Sequence, residues 1–213
     1  MQRIQSIICF NGGSAGDFLK ALCLLAWDLD ISTLDHNGRV EFEDHYFKKF
    51  CKNIYNKTDA LSIEQIDWDL VYPVENSHFY LPCYTDLAKK LYYINYADSA
   101  NPVILNEYLR KRHRNSWAHF LDYHIEFIPT KLQKHVNEQN CQQVFEINWM
   151  KNLKAWRSNT DLLPVEFKDL LDRNQILDIV QTITDKKIND TVAFDRLYLS
   201  WKNNNSRLIE LTA

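Results

Sequence analysis

Two short stretches of this 213-residue chain carry residue types that do chemistry. The first is Phe10-Asn11-Gly12-Gly13-Ser14-Ala15-Gly16-Asp17-Phe18. The chain holds only 4 glycines, and Gly12, Gly13 and Gly16 fall within five residues. A cluster of the scarcest permissive residue marks backbone geometry that other residues do not reach. Where such a turn joins a strand to a helix, it aims backbone N–H groups and the positive helix end at an anion, most often a phosphate. The order here is G-G-x-x-G. It matches neither G-x-x-x-x-G-K-[ST], since no Lys follows Gly16, nor G-x-G-x-x-G. A tight turn before a capped helix produces the same pattern with no ligand. Asp17 repels an anion unless Lys20, one helical turn on, pairs with it.

The second stretch is Glu75-Asn76-Ser77-His78-Phe79-Tyr80-Leu81-Pro82. His78 comes directly after a predicted strand and can serve as a general base near neutral pH. In an open parallel sheet, ligands sit beyond the carboxyl ends of the strands. The glycine turn and His78 are therefore expected on one edge. A histidine satisfied within its own loop is the plain alternative.

Other groupings carry less. Leu109-Arg110-Lys111-Arg112-His113-Arg114 reads as a solvated helix end rather than a phosphate patch. His113, His119 and His124 are spaced by six and five residues, which places them on no common helical face, so no metal site is expected there. Asp28, Asp30 and Asp35 read as a solvated loop, not a cation site. Trp149, Trp156 and Trp201 read as core.

The elements that must position these residues follow from periodicity. Ile4 to Phe10 is an apolar, β-branched run, the pattern of a strand buried on both faces. Asp17 to Leu29 is a helix, apolar nearly all round, with Ser14 or Asp17 as its cap. A loop and then a helix around Glu43–Tyr55 follow. Further strands are expected over residues 66–74, 91–96, 143–147 and 163–167. Helices are expected over 84–90, 102–112, 174–184 and 190–203, with 113–140 mostly helical. Strands alternating with helices imply an α/β fold: a three-layer arrangement with a mostly parallel central sheet and helices on both faces. With no repeat or Pro/Gly/Ser-rich boundary, residues 1–213 are expected to form one domain.

Composition is ordinary for a globular protein, with 46% hydrophobic and 25% charged residues and a formal charge of −3. That excludes disordered and low-complexity classes and argues against nucleic acid as a partner. Five cysteines, an odd number with no C-x-x-C, read as reduced and mostly buried thiols. No signal peptide or membrane span is evident, so a cytoplasmic location is expected.

On these residues the chain resembles the cytosolic sulfotransferase family. F-N-G-G-S-A-G-D-F stands where that family's phosphosulfate loop lies. N-S-H-F-Y-L-P stands where its Lys-Thr-His segment lies. K-K-L-Y-Y-I-N-Y-A-D resembles the third strand and its exit, and P-V-E-F-K-D-L-L-D-R-N-Q-I-L-D-I-V the Tyr-Glu-Asp-Leu segment and its helix. The resemblance implies a P-loop-like fold and 3′-phosphoadenosine 5′-phosphosulfate as donor. It implies that Gly12, Gly13, Ser14, Ala15, Gly16, Asp17 and Phe18 bind that donor. His78 would be the base that deprotonates a hydroxyl on a small molecule or a protein. Several cations of the family are absent. Ser14 stands at the loop lysine and Asn76 at the lysine before the catalytic His. Tyr96 or Asn95 stands at the arginine after the third strand, and no Arg-Lys-Gly segment follows. Lys20, Arg110 and Arg112 are the candidates to compensate. A non-catalytic nucleotide-binding or protein-interaction module of the same fold is the second expectation. A small-nucleotide kinase ranks last, lacking the P-loop Lys and an evident Mg²⁺ carboxylate.

Overall fold

A computed structural model describes residues 4–11, 15–29, 46–56, 63–78, 80–125, 128 and 130–212. Its centre is a four-stranded, all-parallel sheet in the order β2-β1-β3-β4. These strands are β1 (Ile4–Cys9), β2 (Val74–Ser77), β3 (Ala88–Asn95) and β4 (Leu162–Glu166). All six residues of β1 are buried, so both faces of the sheet are covered at its centre. Its one hydroxyl is satisfied, since Ser6 Oγ donates to the Ile183 carbonyl at 2.7 Å.

Helices α1 (Gly16–Leu25), α2 (Tyr46–Asn56), α3 (Tyr84–Leu87), α4 (Asn101–Arg112) and α5 (Trp117–His124) fill the first part of the chain. The rest holds α6 (Thr130–Gln133), α7 (Cys141–Arg157), α8 (Arg173–Thr184), α9 (Thr191–Asn204) and α10 (Ser206–Thr212). Helix α1 packs against β2, α8 and α9, and α8 reaches β1. Helix α7 lies against β3, β4 and α4. Among the described residues no helix is long and apolar enough to cross a membrane.

Four expectations move. The second strand is not 66–74 but Val74–Ser77, one segment later. Pro73 has no N–H to give a ladder, and its carbonyl instead accepts from Gln5 N at 2.8 Å, just where pairing with β1 begins. Before it, Trp68–Leu70 form a short 3₁₀ turn capped by Asp67, whose carboxylate accepts from Asp69 N at 3.1 Å. The helix expected over 84–90 stops at Leu87, because Ala88 pairs with Ile4 and opens β3. The expected strand over 143–147 lies inside α7. There the buried residues are Cys141, Phe145, Trp149, Leu153 and Trp156, a helical spacing that five residues are too few to reveal. Helix α1 stops at Leu25, short of Leu29, in a turn through Asp28 with φ 54°.

Candidate functional site

Strands β1 and β2 run side by side and end together, with Cys9 opposite Ser77. Phe10 N continues the ladder by donating to the Ser77 carbonyl at 2.9 Å. Phe10 and Asn11 therefore leave β1 where His78 leaves β2, on the same sheet edge. His78 Nδ1 lies 3.2 Å from the Phe10 carbonyl oxygen, and the two rings sit 4.5 Å apart. A carbonyl only accepts, so Nδ1 carries the proton and donates. In the neutral ring Nε2 then keeps its lone pair, the tautomer a base at Nε2 requires.

Gly12, Gly13 and Ser14 lie outside the described residues. The N-cap of α1 is Ala15, in the left-handed region at φ 68°, a residue with no side chain to cap with. Gly16 is needed for another reason. A Cβ there would fall inside the Phe10 ring. Leu19 N donates to the Ala15 carbonyl at 2.9 Å. The start of α1, with Gly16, Asp17 and Phe18 in its first turn, carries the positive end of the helix dipole, which suits an anion. The Phe18 ring belongs to the core, stacked 4.3 Å from Trp201.

Asp17 is not the N-cap, and the close partner of Lys20 is Glu75, although the Asp17 charge also acts on Lys20. Lys20 meets Glu75 Oε2 at 2.5 Å, with both side chains 2% exposed. Glu75 Oε1 also accepts from Tyr72 N at 2.9 Å, and the ammonium lies 4.5 Å from the Tyr72 ring. Burial lowers the Lys20 pKa and raises that of Glu75, while each group's charge works against the shift of the other.

Asp17 Oδ1 accepts from Lys48 Nζ at 2.5 Å and from Asn76 Nδ2 at 2.9 Å. The ammonium of Lys48 also lies 5.0 Å from the Phe10 ring. Lys48 on α2 thus brings a cation to the turn that lacks a lysine of its own. It stands in no motif and 31 residues from its partner, so no local pattern marks it. Asn76 is fully buried, and its Oδ1 has no hydrogen-bond partner among the described residues.

Across β1, the opening toward β3 is filled. Asn11 Nδ2 donates to the Tyr96 hydroxyl at 2.6 Å and to the Trp149 carbonyl at 3.2 Å. The Tyr96 hydroxyl in turn donates to Asn101 Oδ1 at 3.1 Å. Where β3 ends, Arg157 from α7 donates to Asn95 Oδ1 (2.8 Å), Asp98 Oδ1 (2.6 Å) and the Tyr96 carbonyl (2.5 Å). The cation at this exit also arrives from a distant element. Arg110 is held by Glu107 on its own helix, and the Arg112 side chain lies outside the described residues.

All five cysteines are free, four of them buried. Burial pushes the Cys9, Cys23 and Cys51 thiols up, and Cys141 to about 11, so none is a thiolate near neutral pH. Asp30 and Asp35 lie outside the described residues. The rings of His113, His119 and His124 do come together, against the expectation from their spacing. No family model matches the chain, and no curated protein matches it significantly in sequence.

Proposed function

We propose that this chain is a sulfotransferase-like protein that moves a sulfuryl group from a phosphoadenosine-type donor to a hydroxyl. The observation that carries this reading is the bond from His78 Nδ1 to the Phe10 carbonyl. It holds a single-tautomer imidazole two residues from the glycine turn, on the edge where a parallel sheet takes its ligands.

The residues fit an anionic donor. The N–H groups opening α1 and the Lys48 ammonium supply positive potential. The Asp17 charge, which opposes an anion, is offset by the Lys48 ammonium, and Asn76 Nδ2 donates a hydrogen bond to the same carboxylate. The bound donor, 3′-phosphoadenosine 5′-phosphosulfate, supplies an activated sulfur whose bond to the bisphosphate breaks as the acceptor oxygen bonds to it. His78 Nε2 takes the acceptor's hydroxyl proton. Lys48 and the helix start hold the charge that develops on the departing oxygens, usually the largest catalytic contribution. The free thiols support a cytoplasmic location, and the net charge favours a small-molecule or protein hydroxyl as acceptor over nucleic acid.

One observation favours a second reading, a non-catalytic module. The Asp17 carboxylate already stands at the helix start, where a bound anion places its charge. Titration with adenosine 3′,5′-bisphosphate separates the two. A ligand at 100 times its Kd adds ~2.7 kcal/mol to stability. Absence of any melting shift at millimolar bisphosphate sinks the donor site. Binding without transfer to a panel of phenols, alcohols and tyrosine peptides leaves the second reading.

A further inference from the structure

A second polar cluster lies in the turn between α4 and α5. Arg114 and Asn115 are both left-handed, with φ 52° and 59°. Their turn folds His113 back over α5, and Ser116 N donates to the His113 carbonyl at 2.8 Å. His119 and His124 stand about 140° apart around α5, by the 100° advance per residue. His113 spans the gap between them. Its Nδ1 lies 3.1 Å from His119 Nδ1, and its Nε2 lies 3.0 Å from His124 Nε2. Tyr108, one turn back on α4, brings its hydroxyl to 3.3 Å from the same His124 Nε2.

That nitrogen is asked for twice. A ring nitrogen has either one proton or one lone pair. His124 Nε2 faces both the His113 nitrogen and the Tyr108 oxygen, and it cannot form two full hydrogen bonds at once. A cation resolves the conflict, because all three atoms can then donate to it. The spacing agrees. Ligands about 2.0–2.1 Å from a tetrahedral centre lie roughly 3.3–3.4 Å from one another, close to the 3.0 and 3.3 Å seen here. The rings form a near-even triangle, with centroids 4.8, 5.4 and 5.5 Å apart. His119 cannot be a fourth ligand, because it sits on the far nitrogen of His113. Accordingly, among the described residues no three His, Cys, Asp or Glu side chains converge as ligands. Its place is to accept the Nδ1 proton of His113 and fix that ring, the usual support of a metal-bound imidazole. His113 is 4% exposed and Phe120 closes the cluster from below, while His124 is only half-buried and leaves a way in.

We propose that Tyr108, His113 and His124 bind one divalent transition-metal ion of the zinc–copper class, with His119 as the positioning residue for His113. Tag-free protein titrated with Zn²⁺ in a calorimeter should bind one ion per chain at micromolar Kd or tighter. NMR of the unaltered protein should show the ring signals of His113, His119 and His124 shifting together as Zn²⁺ is added. His124→Ala should weaken binding at least a hundredfold. His119→Gln should weaken it by about 10–100-fold. Absence of binding at millimolar Zn²⁺, or an unchanged Kd in His124→Ala, overturns the site. So does binding that leaves these three histidine signals in place, a test needing no variant to fold.

Discussion

Lys20 and Lys48 each neutralise a carboxylate beside α1, at different depths. Lys20 and Glu75 are both 2% exposed. Lys48 is 15% exposed and Asp17 29%. Removing one member of the deep pair strands a charge in a low-dielectric interior. At the rim, water competes for both charges and separation costs little. The pair at the base of the sheet edge is thus locked, while on the proposed reading the rim cation is the one an incoming anion would draw from Asp17. An anion site needs both: support that does not move and a positive charge that can be transferred.

The largest expected effect falls on the rim's chemistry. His78→Ala should lower transfer by about 10²–10⁴-fold and leave bisphosphate binding nearly intact. Steady-state rates beside a binding titration decide this, and retained turnover removes His78 as the base. At the base of the edge, Lys20→Met should destabilise by about 3–5 kcal/mol in urea melts, with Glu75→Leu added to it restoring most of the loss. A single variant that melts like the parent would mean this pair is not locked. Between the two, Gly16→Ala drives a Cβ into the Phe10 ring and should cost about 1–3 kcal/mol. Adding Phe10→Leu should return part of it.

At the rim, Lys48→Met should change stability by about 0–1 kcal/mol yet clearly weaken bisphosphate binding. A stability loss matching that of Lys20→Met would erase the contrast. The smallest effect belongs to Asp185, on the far side of the sheet. Hydrogen bonding from Lys90, and more weakly from Gln5, holds its carboxyl below the usual range. A lowered carboxyl contributes stability above the unfolded value of ~3.9 and loses it as pH falls through the folded value. Asp185→Asn should therefore flatten the stability profile slightly below pH ~4, as read by melting against pH.

Legibility divided along similar lines. Strand β1 could be read from its apolar run, α4 from the Pro in its first turn, and α8 and α9 from long patterns that begin at recognisable caps. Asp172 accepts from Asn174 N and Gln175 N, and Asp190 from Ala193 N, each next to where its helix was expected. Segment 143–147 misled because five residues are too few to resolve a period. Strand β2 misled because V-E-N-S is polar, and a buried strand was sought among apolar residues. Glu75 and Asn76 are buried there only because Lys20 and Asp17 meet them.

Read alone, the sequence determined the alternation of strands and helices, the glycine turn after the first strand, and a histidine after the second. Parallel strands carry their loops to one edge, so those two features had to meet. Tertiary structure alone decided which charges stand there. Lysines are long and their partners are chosen by proximity, so Lys20 could go inward to Glu75 while Lys48 crossed from another helix to Asp17. It also decided the histidine cluster. Spacings of six and five share no face of a helix, and only a turn with two left-handed residues brings His113 back between its neighbours.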